Sequence, residues 1–327
     1  MEVRDMKLSG PGIVFMGTPE FAVESLRAIL EAGYPVRGVI TSPDKPSGRG
    51  LQLHPSPVKE FALENSLPVL QPLKLKDPEF LATLKKWQAD IQVVVAFRML
   101  PEEVWNMPPM GTFNLHASLL PQYRGAAPVN WAVINGETRT GVTTFFLNHE
   151  IDKGSVIFSE ETSIGPRETA GDVHDRLMLV GARLVVKTIE AIGAGTAGII
   201  EQQMMEAQEP LKSAPKIFKN DCRISWSNKA ETIYNFIRGL SPYPTAWSEL
   251  ITGKGEIMTV KIYFGTVVKR SHCHEYGAVE TDGKTFLSVA VKNGFINIEN
   301  IKMQGKRQMA IAEFLRGFPY AGECLFQ

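Results

Sequence analysis

Asn114 and His116 stand two apart in the β-favouring run Thr112-Phe113-Asn114-Leu115-His116. Residues i and i+2 of a strand share a face, so the amide and the imidazole are expected side by side at a strand end. A polar loop, Leu147-Asn-His-Glu-Ile-Asp152, lies further along between two expected strands. In an open α/β sheet the loops at the carboxyl ends of the strands share one crevice, which would bring Asp152 to the same place. The trio has a chemical logic. A carboxylate beside His116 would keep imidazolium available near neutral pH. Protonated His116 and the Asn114 amide could then donate hydrogen bonds to a developing oxyanion. No serine or cysteine nucleophile adjoins the pair. Ser118 is close in sequence, but being two residues from the histidine does not make it a triad serine. Taken alone, the same residues could also form a buried, hydrogen-bonded turn.

The elements that must hold this trio read as an α/β fold, a Rossmann-like doubly wound, mostly parallel sheet. Gly12–Gly17 is a short apolar, β-branched run ending in glycine. Thr18-Pro19-Glu20 after it has the look of a helix cap, with proline at the first helical position. Val36–Thr41 is a second strand, Ser56-Pro57 opens a second helix, and the apolar run Ile91–Phe97 suits a strand covered on both faces. Gly141–Leu147 and Ser155–Glu160 add strands, and a long amphipathic helix is expected from Thr169 to Ile192. No Gly-x-Gly-x-x-Gly follows the first strand and no Walker A lysine is present, which lowers the case for a dinucleotide enzyme or an NTPase. From about residue 256, short β-rich runs separated by Gly, Asn and Asp turns suggest a smaller C-terminal β-barrel of OB-like type. The expected division is a catalytic domain at 1–207, a Pro/Lys-rich linker at 208–220 and the barrel at 221–327. Tyr243 and Trp247, in Ser-Pro-Tyr-Pro-Thr-Ala-Trp, read as packing residues at the start of the barrel.

Composition sets the outer limits. Of 327 residues, 44% are hydrophobic and 21% charged, as in ordinary globular proteins. The first residues lack the apolar stretch of a signal peptide, no run is long enough to span a bilayer, and three scattered cysteines suit a reducing compartment, so a cytoplasmic protein without membrane contact is expected. Cys273 lies between His272 and His274, but no second Cys/His cluster accompanies it and no metal is expected. His54, His149 and His174 read as ordinary polar histidines. Residues 1–210 hold 19 Lys+Arg against 25 Asp+Glu, whereas residues 211–327 hold 16 against 10. The basic second part invites a polyanionic partner.

Asn-Leu-His-Ala-Ser-Leu-Leu-Pro-Gln-Tyr-Arg-Gly-Ala-Ala-Pro, followed by Ile-Asp-Lys-Gly-Ser-Val-Ile-Phe, resembles the catalytic domain of the folate-dependent formyltransferases. Ile-Val-Phe-Met-Gly-Thr-Pro-Glu-Phe-Ala-Val, the segment 41–59, Gly-Val-Thr-Thr-Phe-Phe and Ile-Arg-Gly-Leu-Ser-Pro-Tyr-Pro-Thr-Ala-Trp extend the resemblance from about residue 12 to the end. It implies Asn114, His116 and Asp152 as the catalytic trio. It places a reduced folate against Ser118, Leu119, Leu120 and Pro121, with Ala96, Phe97, Arg98, Met99 and Leu100 and the loop 148–152 lining the pterin pocket. Relatives often carry a longer, glycine-containing segment where this chain has Arg98-Met99-Leu100-Pro101. The implied donor is 10-formyltetrahydrofolate. The implied acceptor is the α-amino group of methionine on initiator tRNA, for translation initiation, in a monomeric enzyme.

The Pro/Gly-rich stretch 43–57 supports a nucleic-acid partner on its own terms. A loop this long in a compact domain tends to be functional, and its Lys45 and Arg49 could meet acceptor-stem phosphates. Lys216 and Lys219 in the linker, with Lys269, Arg270, Lys302, Lys306 and Arg307 on the barrel, continue that basic character. Formyl transfer to a small amine such as an amino-sugar nucleotide, a hydrolase releasing formate, and an RNA-binding module without chemistry are the rivals. The first would leave the loop and the basic half without a task, and the intact trio weighs against the last.

Overall fold

The computed structural model describes residues 10–47, 52–202, 210–318 and 323–327. The first part of the chain runs β1 (Ile13–Gly17), α1 (Glu20–Glu31), β2 (Val36–Ile40), β3 (Lys45–Ser47), β4 (Gln52–His54), α2 (Pro57–Glu64), β5 (Val69–Leu70), α3 (Pro78–Lys86), β6 (Ile91–Val95), α4 (Glu102–Trp105), β7 (Thr112–His116), β8 (Arg124–Gly125), α5 (Pro128–Ile134), β9 (Arg139–Phe146), β10 (Val156–Ser163) and α6 (Ala170–Gly193). Then come β11 (Ser213–Ala214), α7 (Ala230–Gly239), β12 (Ala246–Ile251), β13 (Ile257–Val268), β14 (Val279–Thr281), β15 (Leu287–Val291), β16 (Gly294–Met303), β17 (Met309–Ala310), α8 (Ile311–Gly317) and β18 (Leu325–Phe326).

Seven strands form the first sheet, in the order β10-β9-β7-β6-β1-β2-β5. β1 pairs in parallel with β2 and β6, β6 with β7, and β2 with β5. Every residue of β1 and of β6 is buried, so their largely apolar sequences, broken only by Gln92, reflect cover on both faces. Ser56 caps α2 by accepting from Lys59 N at 3.1 Å, as its Ser-Pro signature predicts. The start of α1 differs from expectation. Pro19 occupies the cap position, and Thr18 Oγ1 instead lies 3.0 Å from Ser42 Oγ at the end of the neighbouring strand.

The stretch 43–57 is not a plain loop. Lys45–Ser47 pairs antiparallel with Gln52–His54, and the hairpin stands on a polar base. Asp44 accepts from Lys59 Nζ at 2.6 Å and from Gln71 Nε2 at 2.7 Å, hydrogen bonds that hold its carboxyl below the usual range. Arg49 lies outside the described residues.

The C-terminal strands form an antiparallel sheet, β14-β15-β16-β13-β12-β18, with β17 on β16. Its last strand almost closes it. Leu325 bridges Ala278 at the start of β14, and Phe326 N donates to Gly277 O at 2.9 Å. Gly277 (φ +93) is required there, because a Cβ would stand 2.0 Å from Phe326 O. Ile262, Val289, Val291, Ile296, Ile298, Ile301 and Phe326 fill the near-closed barrel, each 0–1% exposed.

Spatial proximity divides the chain into two compact units. One comprises 1–125, 141–162 and 174–213, and the other 126–140, 163–173 and 214–327. The second therefore takes in stretches that precede the linker in sequence. α5 packs on α7, and the buried Arg238 donates to the carbonyls of Gly165 (3.2 Å) and Glu168 (2.9 Å).

Candidate active site

β7 carries both Asn114 and His116 at the carboxyl end of the parallel part of the sheet, where Val94 pairs with Asn114 and Val95 with Leu115. Asn114 is half-buried and His116 is 6% exposed. The imidazole Nε2 lies 2.9 Å from Tyr123 O. A carbonyl oxygen only accepts, so Nε2 carries a hydrogen and the neutral ring keeps its lone pair at Nδ1. The described hydrogen bonds leave Nδ1 without a protein partner.

Asp152 reaches this region by a different route from the one expected. β9 runs antiparallel to β7, with Thr143 opposite His116 and Phe146 opposite Phe113. The β9–β10 loop thus leaves the sheet beside the start of β7, not beside its carboxyl end. It is tied to the segment after the Ser-Leu-Leu-Pro loop by hydrogen bonds: Gly125 N donates to Asp152 Oδ2 at 3.1 Å and Arg124 Nε to Asp152 O at 3.2 Å. The buried Gln202 completes the clamp. Its Nε2 donates to Asp152 O (2.9 Å) and Gly154 O (2.7 Å), and its Oε1 accepts from Arg124 Nε (3.1 Å) and Nη2 (2.7 Å). Gly154 permits the loop's return, since a Cβ there would stand 1.6 Å from Phe146 O. Asp152 and His116 make no hydrogen bond or ion pair with one another. The direct pair expected from sequence is replaced by two separate anchors, Tyr123 O for the imidazole and Gly125 N for the carboxylate.

Three non-glycine residues around these loops adopt the left-handed region: Ala96 (φ +47), Tyr123 (φ +60) and Asp152 (φ +54). Such backbone costs on the order of 1–3 kcal/mol each and persists where surrounding bonds fix it. Here each falls in a loop that carries or faces the polar trio.

The Ser-Leu-Leu-Pro loop is built from within. Thr143 Oγ1 donates to Ser118 O (2.7 Å) and accepts from Leu120 N (3.2 Å), while Ser118 Oγ donates to Gln122 O (2.7 Å). Ser118, Leu120 and Pro121 are buried, and Leu120 packs on Phe145 and Val156. Side-chain access from this loop falls to the half-buried Leu119, and Ser118 is a brace whose hydroxyl is already engaged. Ala96 and Met99, after β6, are exposed, and Leu100 and Phe97 join the core beneath them. Arg98 turns away from that wall. It donates to Pro72 O (2.7 Å) and Leu73 O (3.2 Å), and its guanidinium lies 5.2 Å from the Phe97 ring centroid. Burial pushes the Arg98 guanidinium down from its usual range.

Lys45 is exposed on β3, and Lys216 is exposed with its Nζ 5.4 Å from the Phe218 ring centroid. Thr143, Tyr123, Gln202 and Arg124 are the structural supports of this candidate site that sequence reasoning missed. Thr143 lies within the Gly-Val-Thr-Thr-Phe-Phe motif, so a signal existed. Gln202 had none, because its partners, the Arg124 side chain and the carbonyls of Asp152 and Gly154, lie far from it in sequence. The His272-Cys273-His274 cluster is a surface feature: His272 Nε2 donates to Val291 O at 2.6 Å and His274 Nε2 pairs with Glu280 at 2.8 Å. Among the described residues no three His, Cys, Asp or Glu side chains converge as a metal site, and no helix is long and apolar enough to cross a membrane.

Comparison with known proteins shows the family. Residues 12–189 match the formyl transferase family model, and residues 216–319 match the formyl transferase C-terminal domain. The chain is 55% identical over 313 residues to a methionyl-tRNA formyltransferase of Bacteroides fragilis, covering 96% of this chain and 97% of that one. It is 47% identical over 320 residues to one of Porphyromonas gingivalis, covering 97% and 99%. In fold it resembles the N-formyltransferase of Helicobacter canadensis, solved with folinic acid and dTDP-3-aminofucose (TM-score 0.58, 20% identity, 91% of this chain and 99% of that one). It also resembles HypX of Aquifex aeolicus, solved with tetrahydrofolic acid (TM-score 0.62, 17% identity, 94% of this chain), of which it spans about half the length. The chain belongs to the formyl transferase family, on its methionyl-tRNA formyltransferase branch.

Proposed function

We propose that this enzyme transfers the formyl group of 10-formyltetrahydrofolate to the α-amino group of methionyl initiator tRNA, and that Asn114, His116 and Asp152 carry the chemistry. Near-complete coverage of the methionyl-tRNA formyltransferases at about half identity is the observation that carries the reading. The amine nitrogen attacks the formyl carbon, and a C–N bond forms as the carbonyl becomes an oxyanion. The Asn114 amide donates to that oxyanion. His116, held through Nε2 by Tyr123 O, has Nδ1 free to take the amine proton and return it to the folate N10 as the C–N10 bond breaks. Tetrahydrofolate leaves and no covalent enzyme intermediate forms. Asp152, fixed by Gly125 N and the Gln202 clamp, supplies the negative charge that balances imidazolium while the proton is in transit.

Leu119 and the backbone of Ala96–Leu100 form the folate wall, with Ser118, Leu120 and Pro121 bracing it from behind. Residues 1–207 supply catalysis, 208–220 link, and 221–327 meet the tRNA. Lys45, Arg49 and Lys216 contact its phosphates. The enzyme works as a cytoplasmic monomer. The test is a transfer assay with formyl-labelled donor, charged initiator tRNA and an amino-sugar nucleotide as competing acceptor. Label is expected on the methionyl-tRNA. Label in free formate or on the sugar amine overturns the reading.

A further inference from the structure

One aromatic side chain in the second unit contradicts its expected role. Trp247 behaves as a packing residue: it is half-buried against the barrel core, and its Nε1 donates to Lys219 O at 2.7 Å. Tyr243, four residues earlier, is 82% exposed. A tyrosine ring in that position forgoes the apolar burial that usually fixes aromatic residues in place.

The backbone beneath it is nonetheless firmly held. Thr245 Oγ1 donates to Pro242 O (2.6 Å), Thr245 N to Leu240 O (2.8 Å), and Gly171 N to Ser241 O (3.0 Å). Asn130 Nδ2 donates to Gly239 O (2.8 Å) and approaches Tyr243 O (3.5 Å). Thr245 itself is held at φ +79, a conformation that a threonine adopts only when its surroundings impose it. Lys261 Nζ donates to Pro244 O at 3.3 Å, which fixes a cation on the same turn. An outward ring on a rigid turn, with an ammonium bonded to a carbonyl of that turn, is a pairing suited to single-stranded nucleic acids. The π-face stacks on a base, and the cation serves the adjoining phosphate. Rigidity matters because the ordering cost is met before the ligand arrives.

We infer that Tyr243 is a stacking platform for an unpaired nucleobase of the tRNA acceptor end, with the Lys261 ammonium on the Pro244 carbonyl adding positive charge to the same turn. The inference rests on the tRNA reading above and names a contact within it. An unpaired base is specified because a base within a duplex offers no free face to a side chain.

Tyr243→Ala and Tyr243→Leu test it, with Tyr243→Phe and Tyr243→Trp as aromatic controls. The exposed ring contributes little to packing, so unchanged melting temperatures are expected in all four. In the transfer assay, the Ala and Leu variants should raise KM for methionyl-tRNA about five- to a hundredfold. Their KM for the formyl donor and their kcat should stay within about twofold of wild type, and the Phe and Trp variants should match wild type throughout. Wild-type KM in the Ala variant overturns the inference, and so does full function in the Leu variant, which would show apolar contact without stacking. A separate arm titrates the Tyr243→Trp protein with a short single-stranded oligonucleotide and reads quenching of tryptophan fluorescence against the parent protein. Added quenching supports the platform, and its absence overturns it. If the wild-type protein transfers no formyl group to methionyl-tRNA, the functional reading fails instead, and the titration still decides Tyr243 by itself.

Discussion

Two histidine regions of this chain invite opposite conclusions from sequence and from structure. On the barrel, Arg270, His272 and His274 gather around the buried Phe295 ring at centroid distances of 4.5, 4.6 and 5.9 Å. Glu280 pairs with both Arg270 and His274. It has the density of polar groups that suggests a reaction centre, yet its contacts are those of a surface cluster shielding an aromatic side chain. At the end of β7, His116 has one partner, a backbone carbonyl, and its expected carboxylate ally is anchored elsewhere. An imidazole suited to proton transfer is better sought where a buried ring keeps one nitrogen unengaged than where polar groups are dense. His116 is buried, fixed at one nitrogen and free at the other. His272 is engaged at both ring nitrogens, donating from Nε2 to Val291 O and accepting at Nδ1 from His274 N, and His274 pairs with Glu280 at the exposed surface.

The sharpest way to break that comparison is to truncate both. His116→Ala should lower kcat about 10²- to 10⁴-fold, while His272→Ala and His274→Ala should stay within about twofold. Steady-state transfer kinetics on the three proteins decide it, and a large loss in either barrel variant would invert the comparison. Asp152→Asn removes the charge but keeps a group that can accept from Gly125 N. A loss in kcat approaching that of His116→Ala, with unchanged melting temperature, separates charge from anchoring.

Gln202→Ala probes the clamp. It removes the Gln202 hydrogen bonds to Arg124 and to the Asp152 and Gly154 carbonyls, and a buried acceptor left unsatisfied costs about 1–3 kcal/mol. A kcat reduced about ten- to a hundredfold together with a lowered melting temperature is expected, because the carboxylate loop is displaced without any change to the trio. Wild-type kcat in a destabilised variant would show that the loop position is immaterial to chemistry.

The smallest effect concerns pH and the barrel side alone. Asn293 Nδ2 and Lys269 Nζ hold the Glu231 carboxylate, whose pKa is lowered to about 2. A depressed folded value means the stabilisation is present above the usual glutamate range and is lost as pH falls toward 2. Glu231→Gln should therefore reduce stability by under about 1 kcal/mol at neutral pH, and the difference from wild type should vanish in acid. Urea midpoints measured across that range report it.

Much of the fold was legible because its signals are local. Ser56-Pro57 announced α2, the apolar runs announced β1 and β6, and the i, i+2 spacing put Asn114 and His116 together. Asp77-Pro78 carries the same cap signature as Ser56-Pro57 and opens α3, with Asp77 accepting from Glu79 N and Phe80 N, although it was not among the expected elements. What stayed hidden depends on strand direction and distant backbone. The antiparallel course of β9 decides where the Asp152 loop emerges, and no spacing rule gives it. The hairpin at 45–54 was masked by its Pro and Gly content. Tyr243 was misread as packing because an aromatic between prolines gives no sign of which way it faces.

The central claim is that the end of β7 transfers a formyl group from reduced folate to methionyl-tRNA without a covalent enzyme intermediate. A single-turnover experiment with formyl-labelled 10-formyltetrahydrofolate and charged initiator tRNA, run on wild type and His116→Ala and stopped by acid at successive times, tests it directly. The label should pass from folate to the methionyl α-nitrogen in wild type, with none retained on protein, and should remain on folate in the variant. Label on the protein, or transfer by His116→Ala at the wild-type rate, would contradict it.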